Sequence, residues 1–185
     1  MLKVISTLAI LAAFGLPAVG QGNTPPSEKA IITSVTVEDI QAFVVSEGYT
    51  LSEAGAFGPL SVRATTPEGL IFDIIGTACE TEYGEGCLGM LMQVGYFADD
   101  DVTYERINNA NLMWQATSTW YDPTEDEEGP TLGITRYVIL DRGVTLDNIR
   151  ENLVNMLAIA PQVADYIWQV GAYAPEMDVS DNQGW

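Results

Sequence analysis

Residues 70–97 read LIFDIIGTACETEYGEGCLGMLMQVGYF, two apolar runs around a polar centre that holds both cysteines of the chain, Cys79 and Cys87. The runs Leu70–Thr77 and Leu88–Phe97 are rich in β-branched and apolar residues, and the centre carries Gly84 and Gly86, so the stretch predicts a β-hairpin. Placing Cys79 opposite Cys87 in an antiparallel ladder sets Ile74 against Met92, Phe72 against Val94 and Leu70 against Tyr96. All three pairs are apolar and share one face. The other face receives Asp73 against Gln93, Thr77 against Gly89, Ile75 against Leu91 and the cysteines themselves. A one-residue slip would mix the two faces, so the register that joins the cysteines also gives the sheet a coherent buried side.

Two cysteines separated by seven residues match no zinc spacing, and the chain contains no histidine to complete a metal site. A redox centre wants a close C-x-x-C pair, which is absent. A structural disulfide between Cys79 and Cys87 is the expected outcome in an exported chain, worth about 2–3 kcal/mol for so short a loop. The glutamates of the turn, Glu80, Glu82 and Glu85, are expected to face water.

Export is predicted from the first 20 residues. Lys3 supplies a positive start, Val4–Phe14 is apolar apart from Ser6 and Thr7, and Pro17-Ala18-Val19-Gly20 offers small residues before a cut after Gly20. The apolar run is shorter than the roughly 20 residues of a spanning helix, and no cysteine follows it to carry a lipid. A cleaved leader, a periplasmic or fully secreted product and no membrane insertion after cleavage are therefore expected. Residues 21–33 read as a flexible lead-in, 34–172 as one domain, and 173–185 as a loose acidic tail. Roughly 165 mature residues suffice for a real core.

The 185-residue chain has 26 Asp and Glu against seven Lys and Arg. Loss of Lys3 with the leader leaves six bases and a net charge of −20. Such a chain repels phosphate backbones, so nucleic acid is excluded as a partner. Without histidine there is no Ser-His-Asp triad and no Cys-His pair. No catalytic residue, cofactor site or metal site is assigned, and the chain is expected not to be an enzyme. Two alternatives stay open: a carboxylate-based hydrolase using Asp73 and a second acid, and an acidic cation-responsive protein using Asp99–Asp101 and Glu125–Glu128. The first needs two acids in one cleft with their pKa values pushed apart. The second lacks the glycine and distal glutamate of a calcium loop, and helix-start electrostatics accounts better for Asp99–Asp101.

Outside the hairpin, Thr36 caps a helix with Val37, Ile40, Phe43 and Val44 at helical spacing, stopped at Gly48. Leu51–Phe57 and Leu60–Thr65, split by Gly58-Pro59, read as one bent or interrupted strand. A second helix is predicted over about Tyr104–Trp114, then strands Ala116–Tyr121 and Leu132–Leu140 around an acidic turn. The last helix starts at the cap Thr145, with Ile149, Leu153, Met156, Leu157 and Ala160 as its buried stripe, and Pro161 is expected to kink or break it. The order is α-β-β-β-α-β-β-α, an α+β domain with an antiparallel five-stranded sheet and helices packed on it.

The set Ile107-Asn108-Asn109-Ala110-Asn111, a strand ending Trp120-Tyr121-Asp122, an acidic turn, an apolar strand and Gly143-Val144-Thr145 before a helix resembles the YbjN-domain family. That family is assigned to bacterial sensory transduction, and its fold is similar to the type III secretion chaperones. The resemblance covers about residues 34–170. It implies a non-enzymatic domain that binds a protein or regulates, and it transfers no catalytic residue; with the leader, which the family's cytoplasmic members lack, the expectation is a regulatory or chaperone-like module of the envelope with a protein or peptide partner and a homodimer open. Trp114, Trp120 and Tyr121 are the candidate partner-binding residues, with core packing as the competing account of all three.

Overall fold

The computed structural model describes residues 29–54, 57–81, 84–124 and 129–173. The leader, residues 21–28 of the lead-in, Glu82, the acidic turn 125–128 and the tail from 174 onward lie outside the described residues. In chain order the elements are β1 (Ile31–Ile32), α1 (Val37–Ser46), β2 (Thr50–Ala54), β3 (Ser61–Thr65), β4 (Ile71–Thr81) and β5 (Gly84–Phe97). Then come α2 (Tyr104–Met113), β6 (Ser118–Asp122), β7 (Thr131–Ile139), β8 (Val144–Thr145), α3 (Leu146–Ile167) and a 3-10 turn, Gly171–Tyr173.

Among the described residues the fold is α+β, with antiparallel sheets and three α-helices. The main sheet has six strands in the order β2-β3-β4-β5-β7-β6, not five, and β1 and β8 form a second, two-stranded sheet. The extra main strand comes from the stretch read as one bent strand. Gly58, at φ +97°, reverses the chain, and Ser61 closes the turn by donating its hydroxyl to Gly58 O while accepting from Phe57 N. A glycine in the left-handed region makes this a hairpin turn, which a Gly-Pro pair in sequence does not distinguish from a bend. Ile31 and Ile32, assigned to the lead-in, pair with Thr145 and Val144.

The β4–β5 ladder has the expected register from Asp73↔Gln93 to Cys79↔Cys87, and the two cysteines are disulfide-bonded. Phe72–Val94 and Leu70–Tyr96 lie beyond the last paired positions of this ladder, though Phe72 and Val94 are both fully buried. The cysteines depart from the face assigned to them. Ala78 sits in the left-handed region at φ 51°, and a Cβ on Gly76 would lie 2.6 Å from Cys87 Sγ. This break in the alternation turns Cys87 into the core, where its backbone also bridges Val35.

One core lies between the helices and the sheet. Phe72, Ile74, Met92, Val94, Leu132 and Ile134 meet Ile40 and Val44 of α1, Ile107 of α2 and Leu153, Met156 and Val163 of α3. Full burial of each large side chain stabilises by roughly 1.5–3 kcal/mol. Thr36 and Asp39 form a reciprocal capping box on α1, and Thr145 accepts from Asn148 N to start α3. Pro161 does not break α3, which runs through it to Ile167. Val163 and Ile167 continue the buried stripe on its far side, and the Gln162 side-chain amide donates to the Ala158 carbonyl beside the proline.

Candidate binding face

Residues alternate across a strand, so β3, β4, β5 and β7 present a second set of side chains away from the helices. Among the described residues no layer of secondary structure lies upon that face: Phe97 is 81% exposed, Ile139 65%, and Ile71 and Tyr137 about half. A polar row crosses its middle, Arg63↔Asp73↔Gln93↔Thr135↔Ser118, each residue paired with the next on the neighbouring strand. Arg63 grips Asp73 in a two-pronged ion pair, Nε to Oδ1 at 2.9 Å and Nη2 to Oδ2 at 3.1 Å. Its guanidinium also lies over the Phe57 ring, 5.3 Å from the centroid. Thr135 donates to the Ser118 carbonyl at 3.1 Å. Asp73 and Gln93 are only 3% and 7% exposed although no helix covers them.

Two aromatic rings lie flat on this surface because glycines beneath them leave room. A Cβ on Gly133 would fall 2.1 Å from the Trp120 indole, and one on Gly89 would fall 2.2 Å from the Tyr137 hydroxyl. That hydroxyl accepts from Thr77 Oγ1 at 2.9 Å. Gly95, in the same outward set, leaves open space. Between the Gly133 and Tyr137 positions on β7 stands Thr135, paired with Gln93. Arg63 and Asp73 pair with each other on this face, and Asp122, two residues beyond Trp120 on β6, adds an exposed acid to it.

The structure separates the three aromatic candidates. Trp120 lies on the open face, whereas its neighbour Tyr121 points to the helix side and meets Tyr104 edge-on, ring centroids 5.7 Å apart. Trp114 caps α2 and packs against Tyr166 and Tyr173. Gln93, Tyr137 and the glycines that lower the floor had no functional reading in the sequence. The signal was present as glycines in strand interiors beside aromatics on the adjoining strand.

The acidic stretch before α2 is tied up locally. Asp99 Oδ1 accepts from Asp101 N and from Trp168 Nε1, and Thr103 caps the helix. Among the described residues no group of three or more acids and cysteines is placed to hold a metal ion. On the helix side, a cavity of about 1240 Å³ runs beside α1. Arg150 at its wall donates to Glu47 at 2.8 Å and Asp147 at 2.7 Å, pinning α1 to α3.

The chain is similar to the crystal structure of YbjN from E. coli, described as a "putative transcription regulator", with a TM-score of 0.56 at 11% identity. The match covers 76% of this chain and 93% of that one. The fold is YbjN-like. An uncharacterized protein from Methanothermobacter thermautotrophicus aligns at TM-score 0.44 and 15% identity, over 72% of this chain and 96% of that one. No family model and no curated protein matches the sequence.

Proposed function

We propose that this chain is a non-enzymatic interaction module of the bacterial envelope, exported by its leader, which holds a protein partner against the open face of its sheet in a regulatory or chaperone-like role. One observation carries the reading: a sheet face that no element among the described residues covers carries exposed apolar residues and two aromatic plates beside the paired Arg63 and Asp73. Exposed apolar area of this kind marks interaction surfaces. The YbjN-like fold agrees with a regulatory role, and the leader-like residues 1–20 motivate the envelope. Asp73, the acid a hydrolase would most naturally use, serves here as the arginine's partner.

The test is in-cell photo-crosslinking from Ile139 or Phe97 on the open face, with Val154 on α3 as the control position. The same envelope protein should be captured from both face positions and not from Val154. Capture that is equal at Val154, or absent at both face positions, would refute the assignment. N-terminal sequencing of the mature protein should begin at Gln21.

A further inference from the structure

We infer that the Cys79–Cys87 disulfide is a redox latch. While it is closed, the β4–β5 hairpin keeps a broken alternation that grips the segment before α1; a dithiol that opens it lets the ladder become regular and frees that segment. The latch is independent of what the open face of the sheet holds.

In a regular antiparallel strand, successive residues turn their N–H and C=O toward opposite neighbours. The Leu88 carbonyl faces β7, accepting from Leu140 N at 2.8 Å. In a regular ladder Cys87 would therefore face β4 and exchange hydrogen bonds with Cys79, its register partner. Both of its backbone groups turn the other way. Cys87 N donates to Val35 O at 2.7 Å, and Val35 N donates to Cys87 O at 3.1 Å. The break is made at Gly86, φ +105°, and Ala78, φ 51°. Glycine adopts the left-handed region freely, whereas alanine there costs free energy. Ala78 is exposed, so packing of its own side chain does not offset that cost. The disulfide does. The broken ladder brings the two cysteines to a Cα separation of 3.9 Å, the close spacing of a pair with no hydrogen bonds between its members. A regular hydrogen-bonded pair stands about 5.5 Å apart.

The closed latch reaches beyond the hairpin. Val35 is 6% exposed, precedes the α1 cap Thr36, and with Ile32 and Ser34 lines the cavity beside α1. Gly86 lets this strip lie close: a Cβ there would fall 3.2 Å from Val35 O and 3.3 Å from Ser34 Cβ. Once the bond is open, the broken ladder keeps only the Val35 bridge and the burial of Cys87. The regular ladder relaxes Ala78 and gains a backbone pair between Cys79 and Cys87, and the hairpin moves to it.

Cys87 is buried and Cys79 half-buried, so the incoming thiolate of a dithiol attacks Cys79 Sγ. The S–S bond breaks, its electron pair leaves on Cys87 Sγ, and that sulfur takes up a proton. The second sulfur of the dithiol then attacks the mixed disulfide, and Cys79 Sγ leaves with the electron pair and takes up the other proton. The protein is reduced by two electrons, and the dithiol is oxidised to a disulfide.

The test equilibrates the mature chain with reduced and oxidised dithiothreitol and follows single-amide hydrogen exchange by NMR. In the oxidised chain the Val35 and Cys87 amides should both be protected. On reduction Val35 should exchange at least about tenfold faster, while Cys87, now bonded to Cys79, stays protected and Met92 and Ile134 do not change. Ala78→Gly suits the broken ladder and weakens the regular one. It should make the bond about tenfold harder to reduce, a potential more negative by about 30 mV. Cys79→Ser with Cys87→Ser should show the reduced pattern without dithiol, and if that variant does not fold, the reduced parent and Ala78→Gly decide. Val35 protection that survives reduction overturns the inference. So does loss of protection at Val35 and Cys87 together, the mark of a hairpin that frays, or unfolding of the whole reduced chain. Ala78→Gly reduced as readily as the parent overturns it as well.

Discussion

Arg63 and Asp73 sit opposite each other on β3 and β4, and their pairing lets a carboxylate lie 3% exposed on a face no helix covers. Removing the arginine would leave that charge poorly compensated, which costs more than the pair contributes. Arg63→Ala should therefore destabilise by about 2–3 kcal/mol, below the full buried-pair range because the Arg63 side chain is 32% exposed. Arg63→Met with Asp73→Leu should cost clearly less than Arg63→Ala alone. Urea unfolding of the variants measures both, and a double variant worse than the single one would contradict this account. Tyr96 makes a different statement. Its phenol, edge-on to Trp168, is pushed up to about 12 from 10.0, chiefly by burial and then by the Asp165 charge. The folded state thus holds a proton that the unfolded chain releases from pH 10 upward. The stability linked to Tyr96 is constant below that pH and is lost as the pH rises from 10 toward 12. Absorbance titration near 295 nm should show a late tyrosinate step, absent in Tyr96→Phe, whose stability should fall less steeply over the same interval.

At the scale of elements, the β4–β5 hairpin was legible because alternation and the cysteines specify one register together. The split of β2 from β3 was not, since Gly58-Pro59 suits a bend as well as a reversal, and only the positive φ of Gly58 decides between them. The faces were half legible. Ile75, Leu91 and Ile139 are apolar yet point away from the helices, so composition alone does not say which side of the sheet is covered. For the same reason the aromatic candidates were chosen without knowing that Trp120 and Tyr121 diverge. In α3 a local rule lost to packing. Pro161 is exposed and removes the N–H that would bond to Leu157 O, but the buried stripe on both sides keeps the helix whole. Pro161→Ala should restore that bond and stabilise by about 1–3 kcal/mol, the lower part reflecting the unfolded-chain freedom alanine regains. A thermal midpoint that falls would mean Pro161 contributes packing that outweighs the lost bond.

Across the whole molecule the few positive charges are spent as internal clamps. Arg150 ties α1 to the start of α3, and Arg106 reaches Asp101 O and Ile167 O, binding the α2 entry to the end of α3. Arg136 on β7 holds Asn152 and Asn155 of α3 and the Ala116 carbonyl before β6. With Arg63 on the sheet, four of the seven basic residues serve this purpose, and the 26 acids far outnumber the cations. Their mutual repulsion is a whole-molecule term that acts over distances salt screens, about 10 Å at 0.1 M, whereas the clamps are close contacts that salt weakens less. Raising sodium chloride from about 0.01 M to about 0.5 M should therefore stabilise the fold, by about 1–2 kcal/mol or roughly 3–6 °C in midpoint for a domain of this size. Scanning calorimetry at fixed pH measures it, with potassium chloride as a check that the effect follows ionic strength. A midpoint that falls with salt would place the balance with the arginine clamps, and the acidic surface would then be electrostatically unimportant to folding.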